Sequence, residues 1–171
     1  MTDIDYGFVI LCPERNLGGL IATVRSVARL FSKECLCVLP KGVTKKELAE
    51  FAEACPTVKG KDTYTSLINI GLKKSKSTWN FIVMAGSTFR YQFYRKYSYF
   101  LTDDKDILFP IVDGHTNFVD ATINGILLNR DAIQEVGEFE DIELPLSKVT
   151  WALKAINKGY RFKAIMGARV F

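Results

Sequence analysis

Short apolar runs alternate with amphipathic stretches along the first half of the chain. Three of the runs have the length of a strand: Tyr6 to Cys12, Cys35 to Leu39 and Asn80 to Met84. Pro13 and Pro40 end the first two, because proline cannot donate a hydrogen bond to a neighbouring strand. Between the runs, apolar residues recur at helical spacing. Strands that alternate with helices in this way predict a parallel α/β sheet with right-handed crossovers.

Aromatic and longer apolar segments characterise the second half. Phe89 to Leu101 interleaves aromatic with basic residues, which predicts a helix that packs one aromatic side on the sheet; a platform that stacks bases or sugars is the alternative. Further strands are predicted at Ile107 to Val112 and at Asn117 to Leu128, with Asn124 and Gly125 as the place for a bend in the second of them. A final helix is predicted from Leu146 to Asn157, with one apolar side buried. The residues expected on that buried side are Leu146, Val149, Leu153 and Ile156.

Length and composition favour a single domain. With 171 residues, 48% of them hydrophobic, the chain is long enough for one sizeable core and too short for two ordinary domains. We therefore expect residues 1–171 to form one α/β domain with a mostly parallel sheet flanked by helices. The 23 basic and 19 acidic residues are spread along the sequence, and their net charge of +4 gives no reason to expect a nucleic-acid partner.

The cysteines and the apolar runs bear on the cellular location. Cys12, Cys35, Cys37 and Cys55 lie in or beside apolar segments without paired CxxC spacing, which favours buried free thiols in a reducing compartment. No apolar run is long enough to span a bilayer. We therefore expect a soluble, cytoplasmic protein without a membrane span.

Small groups of polar residues and glycines lie where such a sheet would bind a ligand. In an open α/β sheet, ligands bind beyond the carboxyl ends of the strands. Two groups follow strands and should line one crevice, and a third lies on the helix before the Asn80 strand. The three groups are Pro13, Arg15 and Asn16; Ala85, Gly86 and Ser87; and Asn69 with Gly71.

In order and over most of the chain, these groups resemble the inverting family-2 glycosyltransferases of the GT-A fold. The later segments Asn124 to Arg130 and Lys158 to Phe162 share this resemblance. It implies a GT-A-like, Rossmann-like domain that binds a nucleotide-sugar or another carbohydrate. In that family the first turn, here Pro13, Arg15 and Asn16, holds the base and ribose; alternatively, this turn only caps the following helix. The resemblance also places Asn69 and Gly71 under the nucleotide, with the glycine packed closely on the sheet.

The carboxylates of the family are not matched. Its D-x-D triplet, which holds a divalent cation such as Mn²⁺ or Mg²⁺ on the leaving diphosphate, falls on Ala85, Gly86 and Ser87. Alanine cannot bind a metal, and a neutral serine is a poor substitute for a carboxylate. Metal-dependent transfer at this position is therefore doubtful from the sequence.

The family's catalytic base falls on Ser147 to Trp151, again without an acid. Glu140 and Asp141, shortly upstream, are candidate replacements; a solvated acidic loop is the alternative. Asp113 and His115, two residues apart at a predicted strand end, form a conceivable replacement metal site. The alternative there is a surface histidine next to an aspartate that bonds its own turn.

The family resemblance, together with the unmatched carboxylates, leads to two hypotheses for the function. The first is sugar transfer from a nucleotide-sugar donor, with relocated acids. The second is a catalytically degenerate GT-A domain that serves as a binding or structural module, with a protein partner in a larger assembly such as a virus particle. An unrelated nucleotide-binding α/β protein is disfavoured because the chain has no glycine-rich phosphate loop. The missing carboxylates favour the degenerate form, and the resemblance in both halves favours descent from a working enzyme.

Overall fold

The strands of the chain form one mixed sheet. The structure, a computed structural model, describes residues 4–31, 33–89, 92–111, 117–118 and 123–166. Within these ranges the seven strands are β1 (Tyr6–Leu11), β2 (Cys35–Pro40), β3 (Thr57–Gly60), β4 (Trp79–Met84), β5 (Asp106–Pro110), β6 (Ile126–Asn129) and β7 (Arg161–Ile165). Their order across the sheet is β3-β2-β1-β4-β6-β5-β7. Only β6 runs antiparallel to its neighbours, so the prediction of a mostly parallel α/β sheet is confirmed.

Helices cover both faces of the sheet. They are α1 (Leu17–Phe31), α2 (Lys45–Ala54), α3 (Tyr64–Lys74), α4 (Phe93–Phe100), α5 (Asp131–Val136) and α6 (Leu144–Asn157). Successive side chains of a strand point to opposite faces, so β1 contributes Phe8 and Ile10 to one apolar core and Val9 and Leu11 to the other. The first core includes residues of α1, α2 and α4, and the second includes residues of α3, α5 and α6. Among the described residues, no helix has the length and apolar character needed to cross a membrane.

The aromatic segment of the second half packs as the sequence predicts. Phe93 and Tyr97 of α4 are buried against the sheet, and the Tyr97 hydroxyl donates to the Gly125 carbonyl at 2.6 Å. Tyr99 and Phe100 remain exposed. The predicted strand from Asn117 to Leu128 is wrong for the described residues 117–118 and 123–125, which are not in a strand, because β6 begins only at Ile126. The chain turns just before β6, where Gly125 has a positive φ of 94°, so the bend expected at Asn124 and Gly125 is confirmed.

The predicted buried face of the last helix is wrong. Leu146, Leu153 and Ile156 are 58%, 59% and 55% exposed, and only Val149 of the four is partly covered. Trp151 occupies the space against the sheet instead, and its ring stacks on Phe139 at 4.6 Å between centroids. Small or polar residues flank the indole on the buried side of α6. They are Ser147, Lys148, Ala152 and Ala155.

Helix α3 lies unusually close to the sheet because of Gly71. A Cβ atom at this position would lie 2.3 Å from Val9 Cγ1 and 3.0 Å from Val38 Cγ2. Real Cβ contacts are longer, so any side chain at position 71 would push α3 away from β1 and β2. This agrees with the close packing that the sequence assigned to Gly71.

Gly71→Ala is therefore expected to lower the free energy of unfolding by about 1–3 kcal/mol, because it overpacks a filled interface. Urea unfolding followed by circular dichroism measures this. The matched control is Gly18→Ala on α1, where the nearest atom to an added Cβ is 3.8 Å away. There we expect a gain of about 0.5–1 kcal/mol from the better helix propensity of alanine. Equal effects at the two positions would contradict the packing described for α3.

Candidate functional site

The loops after β1 and β4 meet at one edge of the sheet. The two strands are parallel neighbours with Leu11 opposite Met84, and the Ala85 N–H donates to the Leu11 carbonyl at 2.8 Å. The chain continues from β1 to β2 on one side, whereas β4 lies on the other side, so the strand order reverses here. Such a reversal opens the crevice in which α/β sheets bind ligands. The predicted juxtaposition of the two loops is confirmed.

The loop after β1 is shaped to start helix α1. Asn16 precedes the helix, and its Oδ1 accepts the Gly19 N–H at 2.8 Å, so this residue is the helix cap that the sequence left as an alternative. Its Nδ2 makes no hydrogen bond to the described residues and lies beside Gly19. Arg15 has a left-handed φ of 55°, and its half-exposed guanidinium lies 3.8 Å from Glu47. A Cβ atom at Gly42 would lie 2.5 Å from this guanidinium, so the Arg15 side chain is directed to the β2 side, and the Asn16 amide donor remains at the crevice.

Gly19 keeps the two loops in contact. A Cβ atom at Gly19 would lie 2.4 Å from Asn16 Nδ2 and 3.0 Å from the Gly86 backbone nitrogen. The two nitrogens are thus neighbours across the crevice, and any larger residue at position 19 would separate them. The Gly19 N–H is already bonded to Asn16, so the accessible part of the positive end of α1 is at Gly18, where an added Cβ would have no neighbour closer than 3.8 Å.

The loop after β4 is held from both sides by polar side chains. On one side, Thr23 of α1 accepts the Gly86 N–H and donates to the Ser87 carbonyl, both at 2.9 Å. On the other side, Asn124 Oδ1 accepts the Met84 N–H at 2.9 Å and the Ser87 hydroxyl at 3.1 Å. Gly86 has a positive φ of 101°, which this tight turn requires. The loop is therefore fixed by its neighbours.

These contacts decide whether the loop suits a divalent cation. Ala85 has no donor atom, and Ser87 is 3% exposed with its hydroxyl committed to Asn124. A carboxylate at position 87 would face the Asn124 oxygen and be repelled by it. Hard cations such as Mn²⁺ and Mg²⁺ take several oxygen ligands, preferably carboxylates. The residues at this loop do not fit the cation that the family resemblance implies.

Asn69 is occupied in holding the fold together. Its Nδ2 donates to the Phe139 carbonyl at 2.8 Å, and its Oδ1 accepts the Phe139 N–H at 2.9 Å. The amide is 93% buried in this double hydrogen bond, which joins α3 to the segment before α6. Asn69 thus has a structural task, and the ligand contact that the sequence suggested for it stays a prediction.

The two candidate catalytic acids are both engaged in ion pairs. Asp141 accepts the Thr63 hydroxyl at 2.7 Å and the Lys61 ammonium at 3.2 Å. The Thr63 hydrogen bond and then the Lys61 contact hold the pKa of Asp141 below its ordinary value, which makes it a weaker base. Glu140 pairs with Lys154 of α6 at 2.6 Å. Asp141 also lines a cavity of about 320 Å³ between α3 and the segment before α6, together with Asn69.

The candidate metal ligands Asp113 and His115 lie outside the described residues. Within the described ranges, no group of three or more histidine, cysteine, aspartate or glutamate side chains is placed to hold a metal ion.

Two residues that hold the loop after β4, Thr23 and Asn124, were not predicted from the sequence. A polar residue inside the apolar stripe of α1 was a signal for Thr23, whereas nothing in the local sequence pointed to the contact of Asn124 with Ser87.

The cysteines are free thiols, as the sequence predicts. Cys12, Cys37 and Cys55 are buried, and Cys35 is half-buried. Hydrogen bonds to Cys12 and Cys55, together with burial, raise the pKa of Cys37, and burial raises the pKa of Cys35 to about 12. A thiol that stays protonated is a poor nucleophile, so neither of these two residues suits covalent catalysis.

A comparison with known proteins finds a similar fold among solved structures. No known protein-family model and no curated protein sequence matches the chain. Among solved structures, the crystal structure of residues 1–349 of TarS from S. aureus is similar, with a TM-score of 0.62 and 12% sequence identity. The match covers 96% of this chain and 59% of the TarS chain, so the present chain spans less than two thirds of that structure. The described fold is thus similar to that of a GT-A glycosyltransferase.

Proposed function

We propose that this chain is a glycosyltransferase-like domain that binds the nucleoside diphosphate part of a nucleotide-sugar in the crevice between β1 and β4. We further propose that it is catalytically degenerate and acts as a binding or structural module. The observation that carries the proposal is the loop after β4. It occupies the ligand-binding edge of a GT-A-like sheet, yet Ala85 has no donor atom and the Ser87 hydroxyl is bonded to Asn124.

Several features of the crevice support diphosphate binding. The positive end of α1 begins there, and at Gly18 an added Cβ would have no neighbour closer than 3.8 Å, so the first turn is open to a phosphate at this position. The Asn16 amide nitrogen supplies a further donor, whereas the Arg15 guanidinium lies beside Gly42 and Glu47 on the β2 side. These groups are fewer than a metal-assisted site offers, so we expect weak binding.

The ion pairs of Asp141 and Glu140 support the proposal that the domain does not transfer a sugar. A base that deprotonates an acceptor hydroxyl must be free to take a proton. Asp141 is instead stabilised as a carboxylate by Thr63 and Lys61, and Glu140 is paired with Lys154. Sugar transfer, the alternative function, would need acids from other positions, such as Asp113.

Calorimetric titration with uridine and guanosine diphosphates is the test. We expect a dissociation constant on the order of 100 µM or weaker for at least one of them. Manganese or magnesium at millimolar concentration should change it by less than about twofold, since no carboxylate of the described loop holds the cation. Tightening by tenfold or more on addition of manganese would contradict the degenerate site.

Asn16→Ser locates the binding within the crevice. Serine keeps an oxygen that caps α1 but removes the amide donor, so we expect binding to weaken about three- to tenfold while stability is nearly unchanged. The control is Asp113→Ala, which should leave binding unchanged. A loss with Asp113→Ala that equals or exceeds the loss with Asn16→Ser would move the site to Asp113 and His115.

A further inference from the structure

One side of helix α4 lines an open groove. Gln92, Arg95, Lys96, Tyr99 and Phe100 recur at helical spacing, so they share this side, and the groove between them has a volume of about 330 Å³. Tyr99 is 77% exposed and Phe100 is 41% exposed. The aromatic and basic residues of this segment therefore divide into a part that packs on the sheet and a part that faces the groove.

The groove carries positive charge. Helix α4 contains two basic residues and no acidic one. Arg95 is exposed, and within the described ranges neither Arg95 nor Lys96 pairs with a carboxylate. The Lys96 ammonium donates instead to the neutral Met166 carbonyl at 3.3 Å, which leaves its charge uncompensated. A ligand that complements the groove is therefore an anion.

The uncharged groups of the groove suit a ring that carries hydroxyl groups. Phe100 lies against the Tyr99 ring at 82°, with the two ring centroids 5.3 Å apart. The face of an aromatic ring is electron-rich, so it attracts the C–H groups on one side of a pyranose ring. The exposed Gln92 amide, at the start of the same side, offers both a donor and an acceptor to sugar hydroxyls.

We propose that this groove binds a saccharide that carries a carboxylate, such as a chain of hexuronic acid residues. The Arg95 guanidinium pairs with the carboxylate through two parallel hydrogen bonds, while the sugar ring lies on Tyr99. A volume of about 330 Å³ is within the usual range of ligand pockets, at its small end, and suits a short stretch of the chain. This inference does not rest on the nucleotide site between β1 and β4.

Two other anionic partners fit the groove less well. A nucleic-acid strand is held through many phosphate contacts, of which two basic residues can supply only a few. A helix that lies on a membrane has an apolar side and a separate charged side, whereas α4 mixes basic and aromatic residues on one side. Both partners are therefore included in the experiment.

Calorimetric titration of the whole chain with trisaccharides of galacturonic acid and of mannuronic acid is the experiment. We expect a dissociation constant on the order of 1 mM or tighter for at least one of them. Maltotriose, a neutral chain of the same length, should bind at least about fivefold more weakly, because it has no carboxylate for Arg95.

Variants locate the binding on α4. Arg95→Gln removes the charge and Tyr99→Ala removes the ring, so each should weaken binding at least about fivefold. Tyr99→Phe keeps the ring and should bind within about twofold of the natural chain. The matched control is Arg29→Gln on α1, which makes the same change at another exposed arginine and should have no effect. Thermal melting checks that the variants are folded.

The proposal is overturned if neither uronic acid trisaccharide binds at concentrations up to about 10 mM. It is also overturned if Arg95→Gln or Tyr99→Ala leaves binding unchanged, or if maltotriose binds as tightly as the acidic chains. Vesicles with anionic lipid and a single-stranded oligonucleotide are titrated in parallel. If either of them binds in place of the trisaccharides and is lost with Tyr99→Ala, the groove serves a membrane or a nucleic acid and the proposal fails.

Discussion

Replacing Asp106 by asparagine is expected to lower the free energy of unfolding by about 2–4 kcal/mol. The carboxylate lies at the start of β5 with no exposure to solvent, and it receives charged hydrogen bonds from two residues of β7. Lys163 donates to it at 2.6 Å and Arg161 at 3.0 Å. The Thr102 N–H and hydroxyl and the Asp103 N–H also donate to it. Asparagine would present an NH₂ group and no charge to these donors.

The effect of Asp106 has a defined dependence on pH. Burial by itself would raise its pKa, but the hydrogen bonds from Lys163 and Thr102 outweigh burial and hold the pKa below its ordinary value. A lowered pKa in the folded state stabilises the fold fully above the unfolded-state pKa of about 3.9, and this contribution is lost as the pH falls through the folded-state pKa. Asp106→Asn should therefore lose less stability than the natural chain on acidification.

Urea unfolding at pH 7 and at pH values below 4 measures both effects. Asp104→Asn is the matched control, since it makes the same change of charge at an exposed neighbour and should shift the free energy of unfolding by less than about 0.5 kcal/mol. A loss at pH 7 as small as that of the control would show that the buried cluster adds nothing to stability.

Replacing Asn69 by alanine is the second change with a large expected effect. It leaves the buried N–H and carbonyl of Phe139 without partners, so we expect the free energy of unfolding to fall by about 2–4 kcal/mol. Asn157→Ala, at the exposed end of α6, removes the same amide and should change it by less than about 0.5 kcal/mol.

The same variant separates structure from ligand binding at Asn69. If the amide serves only to join α3 to the segment before α6, folded Asn69→Ala protein at low temperature should bind nucleoside diphosphate within about threefold of the natural chain. Chemical unfolding and calorimetry on one preparation give the free energy of unfolding and the dissociation constant for nucleoside diphosphate. Unchanged stability with a large loss of binding would assign Asn69 to the ligand.

The first half of the fold could be predicted because its apolar pattern separates strands from helices without ambiguity. β1 and β4 are apolar on both faces, as central parallel strands are, and prolines mark the ends of β1 and β2. Helix α6 shows why the same reasoning failed later. It has two apolar sides, and the sequence favoured the one with more leucine and isoleucine. Burial followed Trp151, because one indole between small neighbours fills the space over the sheet.

The place of the candidate site in the fold could also be predicted, whereas the hydrogen bonds that hold its loops could not. The alternation of strands and helices predicts parallel strands whose carboxyl ends share one edge of the sheet, and with it the meeting of the Asn16 and Ser87 loops. The contacts of Thr23 and Asn124 with the second loop join residues 37 to 64 positions apart. No local pattern encodes which side chains form contacts across such a separation in sequence. The hydrogen bond from the Ser87 hydroxyl to Asn124 could therefore be identified only from the structure.

The central claim is that the crevice between β1 and β4 binds a nucleoside diphosphate without a cation held by the loop after β4. A crystal soaked with uridine or guanosine diphosphate and manganese, measured for the anomalous signal of manganese, tests it most directly. The account predicts diphosphate density at the start of α1, next to Asn16 and Gly86, with no manganese peak coordinated by protein side chains there. Diphosphate bound elsewhere, or a manganese ion held between the diphosphate and protein carboxylates, would contradict it.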